Sequence, residues 1–507
     1  MIVVIPKRHH SMIRPVKVCV VAFWAVFSVW SSVCANNLRL TRLELVDEQT
    51  LSCRISWDNS WRQTQTPGNH DAVWLFAKAS QDNGEWAPLL FSSERNDFHA
   101  TAPFQIGFST VEDGLGVFVI PEATGAHDHS ELEIELRLAT PLTDAAWQID
   151  LMGIEMVWVP EGPYYLGDGS SNFSFGVTSF GPLQVPDESQ LNLGPDPGFS
   201  SGNSVHPADG LVPAAFPKGP EGFYCMKYEL SQEQYADFLN HLTAEQQDAR
   251  TVSGASSTAG TLALSSGNPF RNTIRVYSPA TLNQAAVFGC DAANDGSFNG
   301  EEDAQNRACN LLSWDDLAAY LDWAGLSPMT ELEFEKACRG PLAPLSDEFA
   351  WGTTAAIDAN TPVMDGSARE TVTETGDAIT GLASHGYAGP QGGLRCGFAA
   401  SAASGRVEAG STYYGIMEMS GNLWELCVNV GPDGTGFAGS NGDGQLSDSG
   451  EANQADWPGA TGAGFRGGAW NSGILPGFRD LAVSDRFYSG LAPENRRATA
   501  GGRGVRR

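Results

Sequence analysis

Acidic side chains recur at the spacing of a calcium loop in the middle of the chain. Asp291, Asp295 and Glu302 hold the first, fifth and twelfth positions of one stretch, and Gly296 holds the sixth. An EF-hand loop uses this spacing to surround a hard cation with oxygen ligands at a sharp glycine turn. Ala293, however, offers no oxygen at the third position, and the flanking sequence lacks clear amphipathic helices. The segment therefore predicts either a calcium loop or a solvated acidic turn.

Other patterns that carry chemistry are missing from the sequence. It has no Walker-type phosphate loop and no Cys-x-x-Cys pair, and its Gly-x-Ser-x-Gly string at residues 198–202 lies in a Gly-, Ser- and Pro-rich stretch without the strand-to-helix pattern of a nucleophile turn. Its nine histidines never adopt the helical His-x-x-x-His spacing of a metal site, and His127 and His129 fall in a predicted loop. These absences argue against hydrolytic, phosphotransfer and zinc chemistry of the usual kinds.

Charge and composition narrow the range of partners. Acidic residues outnumber basic ones 60 to 30, which gives a formal charge of −30. Such a surface repels phosphate backbones and attracts divalent cations, so nucleic acid is disfavoured as a partner. The 57 glycines and 28 prolines predict a loop-rich fold, and the length of 507 residues predicts two or three domains.

The N-terminus predicts export. Basic residues between positions 7 and 17 precede an apolar run that ends at Val33, Cys34 and Ala35. This arrangement is typical of a secretory signal, here residues 1–35, and an uncleaved membrane anchor is the alternative. No later segment is apolar enough to span a bilayer. We expect a secreted, periplasmic or cell-surface protein with no membrane span once the signal is removed.

An odd number of cysteines follows the predicted cleavage point. They are Cys53, Cys225, Cys290, Cys309, Cys338, Cys396 and Cys427. In an oxidising compartment one or two disulfides can form, for instance between Cys290 and Cys309. At least one thiol must then stay unpaired, and the sequence does not determine the connectivity.

Two kinds of local pattern predict the secondary structure. Apolar or alternating segments at 51–57, 72–78, 115–120, 132–139 and 147–151 predict strands. Together they indicate a β-sandwich over residues 36–150, with a spacer or docking role. Ser231 predicts the cap of a helix over 232–242, and Ser313 and Thr330 precede two further helices, each with an acidic residue three positions on.

The stretch over residues 413–425 reads Tyr-Tyr-Gly-Ile-Met-Glu-Met-Ser-Gly-Asn-Leu-Trp-Glu. It resembles the Gly-Leu-x-Asp-Met-x-Gly-Asn-Val-Trp-Glu-Trp signature of the formylglycine-generating enzymes, also called sulfatase-modifying factors. Six further motifs stand in the family's order, at residues 154–167, 223–231, 312–323, 329–340, 465–470 and 485–506. The resemblance implies an α+β fold in which an irregular C-type-lectin-like domain, residues 151–507, follows the β-sandwich. Insertions interrupt this domain near 168–210 and 245–308.

The resemblance also shows what is missing. Enzymes of the family oxidise a substrate cysteine with two cysteines of their own, which bind copper and follow the Arg-Gly-Gly-Ser-Trp motif. Here the matching stretch, residues 471–478, contains Ser472 and no cysteine, and the last cysteine is Cys427. Because a hydroxyl cannot replace the soft thiolate that copper(I) requires, we expect no copper and no oxidase activity. The alternative is an oxidoreductase of the formylglycine-generating type that acts on protein cysteine. Its divergent site would lie near Asn471 and Ser472 and use Arg479, Asp485 and Arg486.

Calcium is the metal that the resemblance favours. Carried over by position, its ligands would be Glu418, the carbonyls of Gly421 and Leu423, and Glu425, unless Glu425 only caps a neighbouring turn. A second family site would use Asn360, with Asp377 as one candidate partner. The resemblance thus implies an exported, non-catalytic, calcium-stabilised module of the bacterial cell envelope that binds an unknown protein or glycan.

Overall fold

The computed structural model describes residues 38–81, 84–102, 105–142, 146–171, 173–176, 181–194, 204–401, 403–475 and 478–507. Within these ranges the chain forms four α-helices and many strands in several sheets, which agrees with the α+β class. The predicted signal, residues 1–35, lies outside the described residues, as does part of the first predicted insertion.

Nine strands come first along the described chain. They are β1 (Arg39–Asp47), β2 (Thr50–Arg62), β3 (Asp71–Gln81), β4 (Trp86–Leu89), β5 (His99–Ala100), β6 (Ile106–Thr110), β7 (Gly116–Pro121), β8 (Gly125–Arg137) and β9 (Trp147–Val159). The five predicted strands overlap β2, β3, β7, β8 and β9. The prediction of a loop around His127 and His129 is wrong, because both residues lie in β8, where His129 is buried against Trp57.

The remaining elements are shorter. They are β10 (Tyr164–Leu166), β11 (Leu183–Val185), β12 (Leu191–Asn192), β13 (Leu211–Val212), β14 (Phe223–Met226), α1 (Gln232–Asn240), α2 (Ala244–Arg250), β15 (Ile274–Ser278), β16 (Val287–Cys290), α3 (Trp314–Trp323), β17 (Ser327–Pro328), α4 (Glu331–Arg339), β18 (Ala355–Asp358), β19 (Pro362–Val363), β20 (Thr371–Val372), β21 (Thr380–Ala383), β22 (Glu425–Val428), β23 (Ala463–Arg466), β24 (Ile474–Leu475), β25 (Phe478–Arg479) and β26 (Gly504–Arg506).

Strand β3 is covered on both faces. Its residues Val73 and Leu75 belong to a core shared with β2, β7 and β8. Trp74 and Phe76 point the other way, into the large core that contains α1 and α3. Since alternate residues of a strand face opposite sides of a sheet, β3 reads as a continuous apolar run rather than an alternating one.

Strand β9 connects the N-terminal strands to the rest of the chain. It pairs with β3 over most of its length and with β14 at its end, and β26 pairs with β14 in turn. The eight-stranded sheet therefore has the order β17-β26-β14-β9-β3-β7-β6, with β4 added beside β3. The predicted boundary at residues 150–151 falls inside β9, so strands from both sides of it belong to one sheet.

The helix starts follow the predicted caps. The side chains of Ser231, Ser313 and Thr330 each accept a hydrogen bond from the third amide of α1, α3 and α4, and all three form capping boxes. Helix α1 ends two residues before its predicted limit, and α2 was not predicted. The short α2 buries only Gln247 and Arg250, so it has no apolar stripe to read.

Candidate functional site

The candidate calcium turn lies just before β22. Its backbone has positive φ at Glu418 (56°), Gly421 (95°) and Asn422 (63°), which packs a tight turn into few residues. Glu229 holds the turn from outside, since its carboxylate accepts hydrogen bonds from the backbone amide of Leu423 (2.9 Å) and from the side-chain amide of Asn422. The positive φ angles within the turn and the hydrogen bonds to Glu229, which is distant in the chain, together fix its conformation.

Three buried carboxylates surround one guanidinium beside this turn. Glu425 accepts a hydrogen bond from Nε of Arg503 at 2.6 Å, and both side chains are fully buried. Glu418 accepts a hydrogen bond from the amide of Gly397 at 2.9 Å, and Glu229 is also buried. Glu425 is therefore half of a buried ion pair and not a turn cap. The three carboxylates outnumber the nearby cations, which are Arg503 and the more weakly acting Arg395.

Burial and the neighbouring negative charges raise the pKa of carboxyl groups in this cluster. Burial raises the pKa of Glu418 to about 7, although Arg503 pulls it down. Burial also raises the pKa of Glu229 well above its usual range, and the neighbouring Glu425 adds to that rise. Such shifts mean that the ionised cluster is costly unless a further cation or proton is present.

Two buried carboxylate oxygens beside the turn are available to an oxygen-ligated cation. Oε2 of Glu418 and Oε2 of Glu425 are buried and have no hydrogen-bond partner. A cavity of about 10 Å³, room for about one water-sized species, lies beside Glu418, Ser420 and Asn422. No three His, Cys, Asp or Glu side chains converge as ligands within the described residues. Of the predicted calcium ligands, Glu418 lines this cavity, whereas Gly421, Leu423 and Glu425 are not among its lining residues.

The acidic side chain that the structure places next to Asn360 is Glu374, whereas the candidate partner Asp377 bonds within its own turn. Oδ1 of Asn360 is buried without a hydrogen-bond partner. Asp377 instead accepts hydrogen bonds from the amides of Ile379 (2.9 Å) and Thr380 (2.8 Å) in its own turn. The acid beside Asn360 is Glu374, which accepts a hydrogen bond from the next amide along the chain at 3.1 Å.

The register of the β19–β20 pair explains why Glu374 lies beside Asn360. Pro362 pairs with Val372 in an antiparallel ladder, so residues 360 and 374 come to lie opposite each other. Sequence reasoning missed Glu374 because two-residue strands leave almost no pattern.

The carboxylates of the EF-hand-like loop accept hydrogen bonds from amides of the same loop. Asp291 accepts hydrogen bonds from two loop amides at 3.2 Å each, and Asp295 accepts one at 2.8 Å. Glu302 is exposed, and its neighbour Asp303 accepts two loop amides, at 3.1 and 2.7 Å. No three acidic side chains converge in this loop among the described residues, and Glu302 is exposed, which favours the acidic-turn alternative.

Ser472 is the buried residue in the described part of the stretch that replaces the family's catalytic cysteines. Oγ of Ser472 accepts a hydrogen bond from the amide of Ala469 at 3.0 Å and also bonds to Asp480. Arg486 donates to both oxygens of Glu331. Arg479 lies 3.9 Å from Asp347. Arg479 and Arg486, which the divergent site was predicted to use, thus pair with acids that are not part of that site.

The seven described cysteines are all buried free thiols, so the suggested pair of Cys290 and Cys309 is not formed. Burial raises the pKa of every one of them, for example to about 12 for Cys53 and Cys225. Cys427 lies in β22 opposite Gly464. Buried thiols of high pKa are poor nucleophiles and poor metal ligands.

Residues 148–507 match the family described as the sulfatase-modifying factor enzyme 1-like domain, and the chain belongs to this family. A formylglycine-generating enzyme of Thermomonospora curvata is 25% identical over 230 residues, which cover 43% of this chain and 67% of that protein. The family resemblance of the sequence motifs is thereby confirmed. No helix in the described part of the chain is long and apolar enough to cross a membrane.

Proposed function

We propose that this protein is an exported, non-catalytic member of the sulfatase-modifying factor family. It would act as a calcium-stabilised binding or structural module of the bacterial cell envelope, with a protein or glycan ligand. The observation that carries the proposal is the stretch after Trp470, where Ser472 is tied to backbone and to Asp480 and no thiol is present.

The surroundings of the cysteines support the same conclusion. Copper(I) binding and capture of a substrate thiol both require accessible thiolates. All seven described thiols are buried, and each has a raised pKa, so none is poised for either step. The described cysteines serve as small apolar side chains in the core.

The fold supports a binding role. The four-stranded sheet β1-β2-β8-β5 shares one core with β3 and β7, which supports the β-sandwich proposal. The C-terminal region has two-stranded ribbons, short helices and long connections, which supports the C-type-lectin-like proposal. A scaffold of this kind can present variable loops for recognition while its core stays constant.

A copper and thiol experiment tests the non-catalytic proposal. We expect Ellman's reagent to label no described cysteine at pH 8 in the folded protein, and all of them after unfolding in guanidinium. Copper(I) should not bind stoichiometrically in competition with a chromophoric chelator. A cysteine-containing peptide should cause no oxygen uptake. Stoichiometric copper together with oxygen consumption would overturn the proposal and establish the oxidoreductase alternative.

A chelation experiment tests the calcium proposal separately. Calcium that binds only the folded protein should stabilise it by about 2.7 kcal/mol at one hundred times the dissociation constant. We expect the melting temperature to fall when EGTA replaces calcium, and magnesium to restore less of it than calcium does. A double variant, Glu418→Gln with Glu425→Gln, should lose the response. A melting temperature that ignores both EGTA and calcium would refute the calcium site.

A further inference from the structure

A cleft between the N-terminal strands and α1 lies apart from the turn described above. It has a volume of about 50 Å³. Its walls are apolar, with Leu40 from β1, Phe76 from β3, Met152 from β9 and Trp323 from α3. Its polar side is one turn of α1. The volume exceeds what a single water needs, so the cleft has room for a small group.

Two carboxylates, Glu233 and Asp237, line the polar side of the cleft. They are four residues apart on α1, so they lie one above the other on one helix face. Glu233 is only 4% exposed, and its Oε2 is buried without a hydrogen-bond partner. Desolvation raises the pKa of both groups, that of Asp237 to about 6. Two like charges in an apolar cleft need a positive partner.

Among the described residues, His241 lowers the pKa of Asp237 electrostatically, but no cation forms an ion pair with either acid. The nearby Lys78 donates to the carbonyls of Trp323 (2.7 Å) and Gly444 (2.6 Å). His241 bonds through Nδ1 to the Asp237 carbonyl oxygen at 2.7 Å, and its Nε2 lies 3.2 Å from the carboxylate of Asp150.

We propose that this cleft binds an alkylammonium group, whose charge pairs with Glu233 and Asp237 while its hydrocarbon part packs against the apolar walls. A divalent metal fits poorly, because a hard cation needs six or more oxygens and the walls are hydrocarbon. An ammonium group donates up to three hydrogen bonds and carries its own apolar chain. The aromatic wall residues also favour an organic cation.

Calorimetric titration of the full chain at pH 7.5 tests the proposal. n-Butylammonium should bind with a millimolar dissociation constant, whereas n-butanol, which has the same shape without charge, should not bind. Two sources of the group are separable, because Nα-acetyl-lysine methylamide presents a lysine side chain. Tighter binding of the lysine compound would assign the cleft to a lysine of another protein, and tighter binding of butylammonium to a free amine.

Variants of Glu233 and Asp237 test whether these two acids bind the ammonium group. Glu233→Gln and Asp237→Asn should each weaken butylammonium at least tenfold, and the exposed Glu245→Gln on α2 should not change it. Glu233→Gln should melt no lower than the wild type, because it removes a buried charge and keeps the shape. Absence of amine binding up to 100 mM would overturn the proposal. So would equal binding by Glu233→Gln or by butanol.

Discussion

Replacing Arg466 by methionine should lower the free energy of unfolding by about 3–5 kcal/mol, because it leaves buried acids without their cation. The guanidinium is fully buried and donates to Glu331 and Glu335, at 2.8 Å each, and to the carbonyl of Val483 at 2.7 Å. The two acids are one turn apart on α4, so one planar fork bridges both. Their burial is tolerable only while the bridge exists.

The network around Arg466 explains why the loss should be large. Glu331 is also bound by Arg486, and Glu335 by Arg339. Removing Arg466 therefore leaves each of these buried acids with fewer charge partners. Lysine at this position should recover only part of the loss, since one ammonium cannot replace a bidentate fork.

Urea unfolding followed by circular dichroism measures the effect of the Arg466 variants. The matched control is Arg95→Ala, which breaks the exposed pair of Arg95 with Glu122 (3.0 Å). An exposed pair is worth about 0–1 kcal/mol, so this variant should unfold almost as the wild type does. Equal losses from Arg466→Met and Arg95→Ala would show that the buried network contributes little.

Glu418→Gln should change the pH dependence of stability by about 3 kcal/mol when calcium is absent. Burial raises the folded-state pKa of Glu418 from 4.5 to about 7. The folded protein therefore holds this proton more tightly than the unfolded chain does. The resulting stability is fully present below pH 4.5 and is lost as the pH rises through about 7. In EGTA, the wild type should lose this contribution between pH 5 and pH 8.

The variant isolates this one group from the others that titrate. Glutamine keeps an oxygen for the amide of Gly397 but carries no proton in this range, so Glu418→Gln should show a smaller loss between pH 5 and pH 8. The measurement is the free energy of unfolding in urea at both pH values, with Glu245→Gln as control. Calcium should flatten the wild-type curve by binding the ionised carboxylate, and should leave Glu418→Gln unchanged. Parallel curves for wild type and Glu418→Gln would remove Glu418 as the titrating group.

Much of the fold was readable from local sequence. Ser231, Ser313 and Thr330 do begin helices, since a cap and its capping box involve residues only three positions apart. The predicted strands were found because apolar or alternating runs of about four to eight residues form a recognisable pattern. Elements of two or three residues, such as β19 and β20, were not predicted, because they have no period to detect.

The candidate sites were predictable only in part. The position of the motif suggested Glu418 and Glu425 as calcium ligands. In the structure each has one buried carboxylate oxygen without a hydrogen-bond partner. The spacing of Asp291, Asp295 and Glu302 suggested a calcium loop, but no three acids converge there among the described residues, and Asp291 and Asp295 accept hydrogen bonds from loop amides. Spacing along the chain limits which residues can meet, but it does not determine which hydrogen bonds they form in the folded protein.

By itself the sequence determined the family, the helix starts, the main strands and the lack of cysteine after Trp470, because each depends on residue identity or on short spacing. Only the tertiary structure decided that Arg503 pairs with Glu425, 78 residues away, that Glu374 lies beside Asn360, and that Glu233 and Asp237 face an apolar cleft. Those contacts arise from strand register and core packing. Both bring together residues that are distant in the chain, so no local pattern records them.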